Sequence, residues 1–158
     1  MLAALETEGV RYVVIGGTAA VIEGATHVTF DLDITPDRAR DNLDRLAAAL
    51  RRLNARLAEV PDEVAASFQL DGATLGNGSI WTFMTDYGRL DVAFEPSGTQ
   101  GYKDLQRGAH RTEIDGVHIL VAALEDVIRS KEAANRERDR AVLPDLRRAL
   151  ELKRRRER

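Results

Sequence analysis

The chain has 158 residues, 44% hydrophobic and 31% charged, with 26 acidic side chains against 23 basic ones and no cysteine. That balance suits one globular domain large enough to bury a core, and it excludes disulfides, thiolate nucleophiles and sulfur-ligated zinc. No apolar run is long enough to span a bilayer and no signal peptide opens the chain, so a cytoplasmic protein without a membrane partner is expected.

In chain order, the first residues read as the last turns of a helix ending at Gly9, short enough to suggest a trimmed start. Residues 10–15 form an apolar, β-branched run bounded by glycine, which predicts a buried strand. Gly16-Gly17 predicts a tight turn, and 18–23 a short helix closed by Gly24. Residues 29–34 predict a second strand. Thr35 is then expected as the N-cap, and Pro36 as the first position, of a helix reaching about Arg52. Its apolar positions are Leu43, Leu46, Ala47, Leu50 and Leu53.

The pattern weakens over 54–78, where Pro61-Asp62-Glu63 can open a short helix and Asp71-Gly72 and Gly76-Asn77-Gly78 mark turns. Residues 79–85 and 89–94 predict paired strands, followed by a short helix over 101–107. Residues 109–114 and 117–121 predict a hairpin around Asp115-Gly116. Two closing helices are expected over 124–134 and 139–152. The order predicts an α+β fold: a mixed, mainly antiparallel sheet flanked by helices, with C-terminal helices. Residues 1–122 form the expected core, and 123–158 a helical extension of the same unit with a basic tail over 147–158.

Within the run Val28-Thr29-Phe30-Asp31-Leu32-Asp33-Ile34, alternation puts Asp31 and Asp33 on one strand face and Leu32 and Ile34 on the other. Two carboxylates on one face repel and are costly to desolvate, so a cation between them explains the pattern better than a bare polar edge does. In Arg89-Leu90-Asp91-Val92-Ala93-Phe94, Asp91 shares its face with Arg89 and Ala93, while Leu90, Val92 and Phe94 face the core. If the two strands are neighbours, three carboxylates converge, and Mg²⁺ is the hard, oxygen-seeking ion that suits them, singly or as a pair. Gly16-Gly17-Thr18 stands where a strand enters a helix, a place that presents backbone N–H groups to phosphate.

The histidines, His27, His110 and His118, show no ligand spacing and read as surface or strand residues. Lysine occurs only at Lys103, Lys131 and Lys153. The tail over 147–158 holds seven basic and two acidic residues, which suggests an anionic partner or else a solvated helix end. Arg136 and Arg140 share a helical face and, with Arg138, could extend a basic strip towards an RNA backbone. Trp81, Phe83 and Tyr87 read equally as core or as base-stacking platform.

Gly-Gly-Thr-Ala-Ala-Val at residues 16–21, Thr29-Phe30-Asp31-Leu32-Asp33-Ile34, Gly88-Arg89-Leu90-Asp91-Val92 and the stretch 124–139 together resemble the DNA polymerase β-like nucleotidyltransferase superfamily. The match is to the minimal branch that includes AbiEii/MenT-type toxins of toxin–antitoxin systems. The resemblance implies that Asp31, Asp33 and Asp91 hold the metal, with Asp91 also the base for the attacking hydroxyl. It implies that Gly16, Gly17 and Thr18 grip phosphate, that Thr29 is a functional hydroxyl, and that Lys131 contacts the triphosphate. Arg136 and Asp139 match a further pair at the nucleotide, and Asp145 is an alternative late acid.

Antitoxin-type and aminoglycoside enzymes usually carry Gly-Ser and a serine before Asp-Ile-Asp. This chain carries Gly-Gly-Thr-Ala-Ala and Thr-Phe-Asp-Leu-Asp, which leans to the toxin branch. The implied activity is Mg²⁺-dependent transfer of NMP from an NTP, a pyrimidine one by resemblance, to the tRNA acceptor end, blocking translation, with a cognate antitoxin protein as partner. The alternatives are AMP transfer to a protein (including antitoxin-type modification of a partner), a small-molecule acceptor such as an aminoglycoside, and a non-catalytic nucleotide-binding module.

Overall fold

The structure, a computed structural model, describes residues 1–26, 29–156 and 158. His27 and Val28, and Glu157 of the tail, lie outside the described residues. The elements run α1 (Leu2–Thr7), β1 (Tyr12–Ile15), α2 (Gly16–Ile22), β2 (Leu32–Pro36), α3 (Arg40–Arg52), β3 (Arg56–Leu57), α4 (Asp62–Ser67) and α5 (Gly72–Gly76). Then come β4 (Ile80–Thr85), β5 (Gly88–Ala93), α6 (Tyr102–Gly108), β6 (His110–Ile114), β7 (Val117–Val121), α7 (Leu124–Ala134) and α8 (Glu137–Arg156).

One sheet of seven strands carries the order β3-β4-β5-β2-β1-β7-β6. The β1–β2, β3–β4, β4–β5 and β6–β7 pairs are antiparallel, and β2–β5 and β1–β7 are parallel. The α+β class and the mainly antiparallel sheet are as expected. The β6–β7 hairpin turns through Asp115 (φ 51°) and Gly116 (φ 79°), the paired left-handed residues that match strand twist in a two-residue turn.

Period-two alternation builds the core side of the sheet. Leu32 and Ile34 on β2, Leu90 and Val92 on β5 and Phe83 on β4 are buried. Leu43, Leu46, Ala47 and Leu50 of α3 belong to the same apolar cluster, as their helical spacing predicts. Burial of a Leu or Phe side chain of this kind contributes roughly 1.5–3 kcal/mol. Asp33 and Asp91 alternate with those apolar residues and face away from them.

Four local expectations are corrected. Strand β2 begins at Leu32 rather than residue 29 and continues through Thr35 and Pro36, which were expected to open a helix. Tyr12 pairs with Pro36 on β1, whereas the ladder to β5 stops at Ile34, so Pro36 lies beyond it as a strand-end proline. Helix α3 starts only at Arg40; Asn42 bonds back to Arg11 and Asp37, and the Asp37 carboxylate accepts from the Ala39 N–H. Gly16 and Gly17 belong to the first turn of α2 rather than to a separate turn.

In the weakly patterned stretch, Asp71 accepts from the Thr74 N–H at 2.7 Å and caps α5, where the sequence suggested only a turn. The two-residue strand β3 escaped notice because two residues carry no period. Among the described residues, no helix is long and apolar enough to cross a membrane.

Candidate active site

Register places the acids. Ile15 on β1 is opposite Asp33 on β2, Asp33 is beside Asp91 on β5, and Asp91 is opposite Thr82 on β4. Neighbours in register project to the same face, so these four side chains form a row across four strands. All four line a cleft of about 750 Å³, together with Asp31, Gly16, Gly17 and Thr29. The three carboxylates predicted from spacing therefore share one cleft, and the glycine turn borders it.

Gly16 has φ +65°, and a Cβ there would overlap the Asp33 carboxylate. A side chain at this position is excluded both by the backbone and by the acid it would strike. This contact locks the start of α2 against the floor of the cleft.

Thr18 departs from its expected role. Its hydroxyl donates to the Asp31 carbonyl at 2.9 Å, and the Thr29 hydroxyl reaches the same carbonyl at 3.4 Å. Thr18 is not among the cleft-lining residues, so it anchors the chain at Asp31 instead of presenting a hydroxyl to phosphate. The reason is that β2 begins one residue later, leaving the Asp31 carbonyl in need of a donor.

Three like charges raise the energy of the ionised floor. Burial, then the Asp91 and Asp31 charges, push the Asp33 carboxyl up to about 6. Lys131 and Arg89 oppose that shift. Arg89 on β5 provides the countercharge at close range: its Nε donates to Asp91 Oδ1 and Oδ2 at 3.2 and 3.1 Å and lies 3.9 Å from Asp31 Oδ2. Its Nη1 donates to Glu59 Oε1 at 2.5 Å. These bonds, Glu59 first and Asp91 second, hold the guanidinium firmly protonated.

Another part of the lining is basic. Lys131 on α7, Arg136 between the closing helices and Arg138 on α8 line the cleft. Lys131 Nζ donates to Asp139 Oδ1 at 3.3 Å, and Arg136 Nε donates to Asp139 Oδ2 at 2.6 Å. Asp139 is only 1% exposed. Burial alone would raise its pKa, but the Arg136 hydrogen bond and the Lys131 charge outweigh it and hold the carboxyl below its usual range.

The chain reverses between α7 and α8 at Asn135, a left-handed residue (φ 49°), so this cluster comes from two helices. Arg138 lines the cleft, whereas Arg140, expected with Arg136 on a strip towards RNA, folds back to donate to the Asn135 carbonyl at 2.5 Å and satisfies the end of α7. Asp145, the alternative late acid, accepts from the Thr26 N–H and hydroxyl at 3.1 and 3.0 Å and does not line the cleft.

Ser97, Thr99, Asp126 and Ser130, which sequence reasoning did not single out, also line the cleft. Burial raises the Asp126 carboxyl. The loop before α6 and the register of α7 bring them together, and no local pattern signals it. Of the aromatic candidates, Phe83 is core, Trp81 packs on Phe68 at 5.1 Å and donates to the Leu75 carbonyl, and Tyr87 is exposed in the β4–β5 turn.

The donor set tests the implied Mg²⁺. Carboxylate oxygens that line one cleft, partly desolvated and mutually repelling, suit a hard divalent ion in kind. As the side chains stand, no three acids or histidines among the described residues close around a single ion position. Arg89 holds the Asp91 carboxylate from the side. The residues fit the ion, with Arg89 as a competitor for one of them.

Part of the tail's charge is answered within the chain. Arg147 donates to Glu132, Lys153 to Glu23 and Arg154 to Glu125. Glu23 also takes His110 Nε2 at 2.9 Å. The C-terminal helix is thereby tied to α2 and α7, and part of its charge needs no external anion.

No protein-family profile matches the chain, and no curated protein matches it. Solved structures do. The lincosamide antibiotic adenylyltransferase LnuA, in its lincomycin-bound crystal structure, superposes with a TM-score of 0.60 at 17% identity over 92% of this chain and 91% of that one. The Thermotoga maritima protein TM1012, assigned as a nucleotidyltransferase, gives 0.55 at 15% identity over 90% and 85%. The antibiotic-resistance factor ANT(2'')-Ia gives 0.50 at 18% identity over 80% of this chain and 63% of its own. Identity this low speaks to architecture, and on that architecture the three agree with the sheet and helices described above: the chain has the nucleotidyltransferase fold.

Proposed function

We propose that the protein is a divalent-metal-dependent nucleotidyltransferase that moves a nucleotidyl group from an NTP to an acceptor hydroxyl. One observation carries the reading: strand register sets Asp33 beside Asp91 in a cleft that Asp31, Lys131, Arg136 and Arg138 also line. Acidic and basic groups in one cleft suit a substrate that brings both a metal ion and a triphosphate.

A bound divalent ion supplies positive charge at the α-phosphate and favours ionisation of the attacking hydroxyl. Asp31, Asp33 and Asp91 would hold it. The acceptor oxygen bonds to the α-phosphorus, the bond from that phosphorus to the β-phosphate bridging oxygen breaks, and pyrophosphate leaves. The hydroxyl proton passes to the Asp91 carboxylate. Lys131 and Arg136, oriented by Asp139, steady the leaving phosphates, and the backbone at Gly16 and Gly17 permits their close approach. Positioning and charge neutralisation account for most of the acceleration in such transfers.

For the acceptor, the reading is the 3′ end of tRNA, with the chain acting as a toxin held in check by a partner antitoxin and using a pyrimidine NTP. Its support is the sequence resemblance and Arg136 and Arg138 in the lining of the cleft. A second reading, a small-molecule acceptor, has its own support: LnuA, an antibiotic adenylyltransferase, aligns over 91% of its length.

The experiment offers each labelled NTP, with Mg²⁺, to the purified protein together with total tRNA, a cell lysate, or lincosamide and aminoglycoside antibiotics. Label in tRNA that disappears in Asp33→Asn supports the first reading. Label in an antibiotic supports the second, and label in protein supports AMP transfer to a partner. No label in any arm overturns the transferase reading.

A further inference from the structure

We propose that Arg89 is a built-in counter-ion of the carboxylate floor, clamped between Asp91 and Glu59, which yields Asp91 to an arriving divalent ion while Glu59 retains it. This inference rests on the metal dependence proposed above and adds a positioning role for two residues outside the acid triad.

The geometry is specific. Arg89 Nε faces both oxygens of Asp91, at 3.2 and 3.1 Å, so it covers the atoms that a metal ion or a substrate proton would need. Asp31 Oδ2 is 3.9 Å away, so the same guanidinium sits near two of the three acids. Its far end is held at 2.5 Å by Glu59, an exposed acid outside the row.

Glu59 reaches that place from a left-handed backbone conformation, φ +62°, which is costly for a residue with a Cβ. It follows Ala58, the residue after the short strand β3, and the Ala58 N–H is fastened to β4 at the Thr82 carbonyl, 2.8 Å away. The sheet edge thus holds a strained acid against Arg89. Lys131, the other cation that weighs on Asp33, gives its hydrogen bond to Asp139 instead.

Two fixed carboxylates on either side of one guanidinium form a two-seat arrangement. With no ion present, Arg89 bridges both seats and relieves the repulsion among the acids. A divalent ion carries twice its charge and competes for Asp91, and the planar fork can remain seated on Glu59. Glu59 therefore assists metal binding by giving Arg89 somewhere to stay, and it does so only through Arg89.

The test is Mn²⁺ binding to chelator-stripped full-length protein without nucleotide, read by the electron paramagnetic resonance of free Mn²⁺. Arg89→Gln should bind Mn²⁺ about fivefold or more tighter than wild type, because a competing positive charge is gone. Glu59→Gln should bind it about threefold weaker, because Arg89 then depends on Asp91 alone. In the double variant the Glu59→Gln effect should vanish, which long-range charge effects alone would not produce. Arg89→Lys, which keeps the charge but loses the fork, should fall between wild type and Arg89→Gln, and it stands in if the glutamine variant does not fold.

Unchanged or weaker binding by the Arg89 variants, or an equal Glu59→Gln effect in both backgrounds, overturns the clamp while leaving the transferase reading intact. Absence of Mn²⁺ binding by every protein, wild type included, overturns the clamp and the metal dependence together.

Discussion

Asp33 and Asp139 line one cleft, and their environments push them in opposite directions. Asp33 sits beside Asp91 and near Asp31, and its carboxyl is pushed up to about 6. Asp139 sits between Lys131 and Arg136, and its carboxyl is held below the usual range despite deep burial. One aspartate is short of positive charge and the other has its cations supplied by the fold. The lesson is that the floor has room for an external cation, whereas the basic part of the lining is already organised by an internal anion.

The largest effect should come from breaking the floor. Asp33→Asn removes a central carboxylate while keeping its size, and nucleotidyl transfer should fall on the order of 10²-fold or more, measured as initial rate at saturating NTP and Mg²⁺. An unchanged rate would mean that the acid row does not serve the chemistry.

The same substitution should stabilise the fold when metal is absent. An acid whose folded pKa lies above its unfolded value contributes stability that is full below about pH 4 and is lost as the pH rises through about 6. In a chelating buffer near pH 7.5, Asp33→Asn should therefore exceed wild type by roughly 2–3 kcal/mol, the equivalent of a shift of about two pH units. The advantage should close below about pH 4, as followed by denaturant melts across pH.

Asp139→Asn should show the reverse slope. Its depressed carboxyl contributes stability that is present above the unfolded pKa and lost as the pH falls through the folded one. At neutral pH the variant should lose about 1–3 kcal/mol, because Lys131 and Arg136 lose a buried partner. That deficit should shrink in acid. Parallel slopes for the two variants would erase the distinction between the two acids.

The smallest effect sharpens the contrast between the cleft and the outer surface. Arg154 pairs with Glu125 where both side chains are about half exposed. Arg154→Ala should cost less than about 1 kcal/mol, and that little should disappear in high salt.

Much of the architecture was legible because period and punctuation are local. Leu43, Leu46 and Leu50 announce α3 by spacing, Asp115-Gly116 announces a hairpin, and Leu90, Val92 and Phe94 alternate with Asp91 as a half-buried strand must. The start of α3 was misplaced because Thr35 and Pro36 make a good helix opening by themselves. Pairing of Pro36 with Tyr12 overrides that preference. Strand β3 is too short to carry a pattern, and Arg140 was set beside Arg136 on a basic strip from helical spacing that takes no account of the carbonyls at the end of α7.

By itself the sequence determined which residues share a strand face. Alternation along a strand is a property of the chain, so Asp33 and Asp91 had to project opposite their apolar neighbours, while Asp31, which precedes β2, reaches the same cleft from outside the strand. Only the tertiary structure decided that Asp33 lies beside Asp91, that Thr18 serves the Asp31 carbonyl and that Arg89 is clamped between Asp91 and Glu59. Strand order and register arise from burying one common core, and contacts between residues distant along the chain follow from that packing rather than from any local spacing.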